Sequence, residues 1–222
     1  MSAETEAMKF LAEHGWRGSI DRRAEARLLR DEFRSRFSFA IPDSKTIERL
    51  SCFGPLLEVG SGIGYWAWEL RRAGVDLVAT DVTGKGRYWK SGHWLEPWTP
   101  IEPLDAIAAL RKYPTRTLLS VWPDRGRDWP AQALRAYRGD RVLYVGEGPG
   151  GCTGNYEFHK ILHDEFACVS VFPIPHFYRQ HDLLWIWKRL PTAERRNASA
   201  AFGSMVMKKD ASTCDDASIE AD

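Results

Sequence analysis

The feature that most restricts this chain's fold is a glycine-rich turn set between a strand-like run and a helix-like run. LLEVG, from Leu56 to Gly60, is a short apolar stretch of the kind that forms a buried strand. YWAWELRRAG follows from Tyr65 with helical character, and Gly74 is placed to close it. Between them stand Gly60, Gly62 and Gly64. Glycines at such a junction let the backbone turn sharply and let a ligand approach closely. The start of the following helix presents unpaired N–H groups suited to a carboxylate or phosphate. A second strand, DLVATD, ends at Asp81. An acid in that position can accept hydrogen bonds from two ribose hydroxyls. Together these parts describe a site for an adenosine-bearing ligand at the C-terminal edge of a sheet.

The spacing narrows the ligand. A nicotinamide fingerprint reads GxGxxG, whereas here the glycines follow GxGxG and residue 65 is Tyr. The Gly-Lys-Ser/Thr ending of a P-loop is absent. The stretch LLEVGSGIGYWAWELRRAGVDLVATD resembles the first two motifs of class I S-adenosylmethionine-dependent methyltransferases. That resemblance implies a Rossmann-like domain and S-adenosylmethionine as its cofactor. It places Glu58, Gly60, Gly62 and Gly64 around the methionine end, with Asp81 on the ribose. Glu96, Glu102, Trp94 and Trp98 all remain open as partners of the adenine.

The rest of the chain alternates in the same way. TLLSVW and RVLYVG read as strands, with helices expected over 103–112, near 131–137 and over 156–167. CVSVFPI and DLLWIWKRL are joined by the short link from Pro173 to His181, which suits an antiparallel pair at one sheet edge. The expected fold class is therefore α/β: a mostly parallel sheet, helices on both faces, and an antiparallel last strand pair. One poorly marked strand is expected near Trp98 to Ile101. Residues 1–50 read as an N-terminal helical cap, 51–190 as the cofactor-binding domain, and 191–222 as a disordered tail. In the cap, Ala26, Leu29, Phe33 and Phe37 recur at helical spacing, and Arg22, Arg23, Arg27, Arg30 and Arg34 read as a solvated face paired with interleaved acids.

Methyl transfer asks the protein mainly for alignment, with a base only where the nucleophile must lose a proton. The loop after the TLLSVW strand reads Ser-Val-Trp-Pro-Asp-Arg. It is distantly similar to the Asp/Asn-Pro-Pro-Tyr motif of amino methyltransferases, with Trp122 and Asp124 in place of two of its residues. Trp122 and Pro123 can wall the methyl site, and Asp124 can orient or deprotonate an acceptor; as a plain structural residue it caps a turn. The next loop, GEGPGGCTG, offers Glu147 as a base or substrate anchor, while Cys152 reads as packing. His159 and His163 lie four apart on a helix without a third ligand, so no metal site is expected. His176, Tyr178, His181 and Asp182 flank the last link.

A net charge of +1 supplies no field toward nucleic acid or anionic lipid. With 12% aromatic residues, the balance favours a small-molecule acceptor, then a protein side chain, with nucleic acid third. A methyltransferase-like binding or scaffold module without transfer is the rival reading. Neither a membrane span nor a signal peptide is legible, and four spaced cysteines suggest reduced thiols, so a cytoplasmic location is expected.

Overall fold

Strand β1, Leu56–Val59, lies inside the sheet with a strand on either side, and all four of its residues are buried. Residues buried along the whole strand require cover on both faces, which is the condition of a parallel sheet sandwiched by helices. In a computed structural model that describes residues 4–16, 23–84, 86–87, 94–192 and 194, this condition is met. The strands are β2 (Leu77–Asp81), β3 (Gly86–Arg87), β4 (Trp94–Leu95), β5 (Glu102–Pro103), β6 (Thr117–Val121), β7 (Arg141–Gly146), β8 (Phe166–Pro173) and β9 (Leu183–Arg189). The main sheet has the order β5-β2-β1-β6-β7-β9-β8, and β3 pairs only with β4. Pairings through β5, β2, β1, β6 and β7 are parallel, and β9 runs antiparallel to both β7 and β8. This is a Rossmann-like sheet with an antiparallel end, as expected from the sequence.

The chain builds outward from β1 to β2 and β5, then returns to lay β6 on the other side of β1. The order therefore reverses between β1 and β6, and ligands of open α/β sheets bind beyond the strand ends at such a reversal. Helices α3 (Ser44–Ser51) and α4 (Tyr65–Arg72) cover one face with Ile47, Leu50, Trp66, Ala67 and Leu70. Helices α5 (Ala106–Lys112), α6 (Trp129–Ala136) and α7 (Tyr156–Glu165) cover the other, through Leu110, Leu134, Phe158 and Leu162.

Several boundaries differ from expectation for identifiable reasons. The weak strand is not at Trp98 to Ile101 but at Glu102–Pro103. Trp98 N–H donates instead to Ile63 O at 2.9 Å, and Arg71 Nη1 donates to Thr99 Oγ1 and Pro100 O. Those bonds draw the segment onto the glycine turn and α4. Helix α5 starts later than expected because Asp105 caps it, its Oδ1 accepting from Ala108 N–H at 2.8 Å. Helix α7 stops at Glu165, and Phe166 and Ala167 already belong to β8. The expected tail lies largely outside the described residues, as does the beginning of the second helix.

Helices α1 (Glu6–Glu13) and α2 (Arg23–Arg36) share a core with the sheet domain. Phe10, Leu11, Leu29, Phe33 and Phe37 are buried together with Tyr65 of α4 and Phe177 of the β8–β9 link. Tyr65 Oη accepts from Ala7 N–H at 2.8 Å, and Thr5 Oγ1 donates to Pro42 O at 2.8 Å. Phe33 is fully buried and lies 5.3 Å, ring to ring, from Phe177. Truncating Phe33→Ala removes that bridge and leaves a cavity, at a cost of about 3–5 kcal/mol. Urea unfolding of this variant is expected to show the loss as a lower midpoint; an unchanged midpoint would contradict the shared core.

Candidate functional site

The turn after β1 has the backbone its glycines imply. Gly60, Gly62 and Gly64 all adopt left-handed φ, at +66°, +57° and +73°. Any side chain is strained at such values. The three nevertheless face different surroundings. A Cβ on Gly60 would come 2.7 Å from the ring of Trp129, and one on Gly64 would press on Thr99 and Ile101 at 3.1–3.3 Å. A Cβ on Gly62 would meet nothing within 4 Å. Gly60 and Gly64 are thus small so that the protein can close on itself, and Gly62 alone of the three opens to space.

Asp81, at the end of β2, reaches this opening. Its Oδ2 accepts from Gly62 N–H at 3.2 Å, and its Oδ1 accepts from Thr83 N–H at 3.4 Å. Burial raises its pKa above the ordinary carboxylate value, against backbone donors from Thr83 and Gly62 that lower it. Beneath the turn, Glu58 is only 1% exposed. Its Oε2 and the Ser61 Oγ are buried and have no hydrogen-bond partner among the described residues. Such atoms are rare in native folds and usually await a ligand or water. Burial pushes the Glu58 carboxyl up to about 8, with Arg71 acting to lower it and Asp81 adding to the rise.

On the other side of the reversal, β6 ends at Val121 and Trp122 turns out with φ +49°. Trp122 N–H still donates to Val145 O at 2.8 Å. Its indole stacks on Phe39 with centroids 5.0 Å apart, and the Arg34 guanidinium lies 4.9 Å from Phe39 and 5.2 Å from Trp122. Trp122 Nε1 donates to Asp182 Oδ1 at 2.8 Å. Pro123 O accepts from Gly154 N–H at 2.8 Å, and Asp124 forms an antiparallel bridge with Thr153, so the loops after β6 and β7 are stitched together.

Of the two expected catalytic carboxylates, Glu147 adds to that stitching and Asp124 closes its own turn. Asp124 Oδ1 accepts from Gly126 N–H at 2.8 Å within its own turn. Glu147, 3% exposed, accepts from His181 N–H through Oε1 at 2.7 Å and from Cys152 N–H through Oε2 at 2.6 Å. It therefore clasps the post-β7 loop to the β8–β9 link. Cys52 and Cys168 are free thiols.

His159 Nε2 lies 2.8 Å from Thr153 O, His163 packs edge-on against Trp187, and no metal-holding cluster exists among the described residues. Of the possible adenine partners, Glu102 is occupied by Lys112 and Tyr113. Trp98 packs among Phe37, Tyr65 and Trp68, and its Nε1 donates to Arg36 O at 2.7 Å. The Trp94 side chain lies outside the described residues.

Arg34 corrects the reading of α2. It is 6% exposed rather than part of a solvated face. The signal was available: 30, 33, 34 and 37 follow the i, i+3, i+4, i+7 rule of an inward stripe. Phe39 and the buried Asp182 complete a cluster that no local motif announces.

No family model and no curated protein matches the chain. Among solved structures, it is similar to the magnesium protoporphyrin IX methyltransferase of Synechocystis PCC 6803, which holds S-adenosylmethionine (12% identity, TM-score 0.45, 66% of this chain and 79% of that one). It is also similar to a Streptococcus pneumoniae protein provisionally assigned as a tRNA (m1A22) methyltransferase (16% identity, TM-score 0.44, 73% and 79%). The latter's complex with S-adenosylmethionine aligns at TM-score 0.38 over 74% and 86%. At these scores the likeness adds nothing to the strand order itself, and function is read from the chain's own residues.

Glu58 supplies a pH test of the buried turn. In the unfolded chain it ionises near the usual 4.5, and in the fold near 8. Between these values the unfolded chain has lost a proton that the fold retains. Glu58 therefore lowers stability progressively as pH rises from about 4.5 to about 8, with a limiting slope of about 1.4 kcal/mol per pH unit. Glu58→Gln is expected to gain on the natural chain between pH 5 and pH 8, read from urea midpoints. A margin independent of pH would contradict this burial.

Proposed function

We propose that this chain binds S-adenosylmethionine at the β1–α4 turn and transfers its methyl group to an acceptor seated beside Trp122. The observation that carries the reading is the opening at Gly62, a left-handed glycine at the sheet's reversal point, with Asp81 held against it. The bound cofactor would supply an activated methyl on a sulfonium. The residues fit it chemically. Gly62 leaves room for the backbone to approach the ligand, and Glu58 and Ser61 offer buried polar atoms that lack partners among the described residues. Asp81 stands where a ribose would be gripped. Gly60 and Gly64 serve by letting Trp129, Thr99 and Ile101 close around the turn.

On the acceptor side, Trp122 and Pro123 wall the methyl position. Asp124 and Glu147 hold the two loops that shape it. A small acceptor with an apolar body suits the Phe39–Trp122 stack and the chain's near-neutral charge.

Calorimetry with S-adenosylmethionine and S-adenosylhomocysteine tests the cofactor half. Saturable binding of both is expected. Gly62→Arg fills the opening and should abolish it, and Asp81→Ala should weaken it at least about tenfold, or about 1.4 kcal/mol. Unchanged affinity in both variants would remove the proposal. Incubation with methyl-labelled cofactor and a cell extract tests the transfer half. Label is expected in an acceptor; binding without any transfer would favour the scaffold reading instead.

A further inference from the structure

The cluster behind the β6 loop contains a carboxylate that is only half satisfied. Asp182 is 1% exposed and accepts from Trp122 Nε1 through Oδ1. Its Oδ2 is buried with no hydrogen-bond partner among the described residues. Gln180, two residues earlier and 4% exposed, has its Oε1 in the same condition. Leaving such oxygens without donors costs on the order of 1–3 kcal/mol each, more where the group is charged. Both belong to the link that enters β9, and β9 is antiparallel, so its first residue pairs with Gly146 at the edge where the parallel strands end. Glu147 does not share this property, because both of its oxygens accept backbone N–H groups.

Resting on the methyltransferase reading, we propose that Asp182 Oδ2 accepts the hydrogen of the methyl acceptor, a nitrogen or oxygen nucleophile carrying a removable proton. The ionised Asp182 Oδ2 and the Gln180 Oε1 are both acceptors, so the partner they lack is a donor. The stacked rings of Phe39 and Trp122 next to Asp182 suit an apolar or aromatic body on that molecule. In transfer, the nucleophile's lone pair forms the new bond to the methyl carbon. The electron pair of the breaking carbon–sulfur bond stays on sulfur, and the released proton goes to Asp182 Oδ2.

The surroundings suit that task. Burial pushes the Asp182 carboxyl up to about 7; the Trp122 hydrogen bond and Arg34 act to lower it, and Glu147 adds to the rise. Tyr144, whose own titration is driven far up by burial, is a further ionisable group beside it. A base with that value is matched to neutral pH.

The test needs no knowledge of the acceptor. The probe is the cofactor analogue in which a CH–NH3+ group replaces the methylsulfonium, compared by calorimetry with S-adenosylhomocysteine on the full chain. The ammonium presents a donor at the methyl position. The natural chain is expected to bind the analogue at least about tenfold more tightly at pH 8, and this preference should shrink as pH falls through about 7 and Asp182 takes up a proton. Asp182→Asn can still accept from Trp122, so S-adenosylhomocysteine should bind within about twofold while the preference disappears. Equal binding of the two ligands by the natural chain, a preference that ignores pH, or one that survives in Asp182→Asn overturns the proposal. Should Asp182→Asn fold poorly, the pH series on the natural chain decides alone. Failure of both ligands to bind the natural chain would instead sink the cofactor reading beneath it.

Discussion

The strand-to-helix turn at residues 60–64 is the constraint on which the rest of the architecture depends. Three left-handed residues within five positions swing the chain out of β1 and set the start of α4 over the sheet. Once α4 is so placed, Tyr65 and Glu69 face α1 and accept its first N–H groups. Arg71 reaches past the end of α4 to bind Leu77 O, Thr99 and Pro100. The N-terminal helices, the second strand and the segment before β5 are thus all secured to one helix whose position the glycines set. A side chain at Gly60 would strike Trp129 and disturb α6 as well. The turn is a structural keystone before it is a binding element.

That double role explains what was readable from sequence. The alternation of strands and helices, the antiparallel last pair and the acid at Asp81 follow from period, turn residues and spacing, all local properties. What sequence could not reveal was which glycine opens to space. Gly60, Gly62 and Gly64 look equivalent in a string, yet Gly60 abuts α6, Gly64 abuts the 99–101 segment, and a Cβ on Gly62 would meet nothing within 4 Å. Those neighbours are distant in the chain. The same holds for Glu147, both of whose oxygens accept loop N–H groups, and for Asp124, whose Oδ1 accepts from Gly126 N–H. Arg34 is the instructive exception. Its inward position was encoded in the helical stripe, but its charge argued for solvent, and the stripe prevailed because Phe39 and Trp122 provide a flat partner for a guanidinium.

The polar atoms near the sheet's reversal divide into two groups. Those joining loops are fully matched: Thr153 Oγ1 takes the Glu147 N–H, and the Tyr144 hydroxyl donates to Glu147 O. Glu58 Oε2 and Ser61 Oγ beside the glycine turn, and Gln180 Oε1 and Asp182 Oδ2 in the link entering β9, have no partner among the described residues. A chain that satisfies its loops so thoroughly has the means to satisfy these too.

The reversed direction of β9 has a consequence for how the rim of the sheet, where the parallel strands end, can change. Every parallel strand offers the rim the residue that follows it, whereas β9 offers the residue that precedes it. Its alignment, with Leu183 opposite Gly146, fixes how far Asp182 projects. The bulge between Cys168 and Ser170 in β8 shows that the outer pairing already tolerates an irregularity. A one-residue slip of β9 would exchange its two faces. Drift in the outermost hairpin, remote from the glycine turn, could therefore reshape one half of the crevice while the half beside β1 and β2 stays as it is.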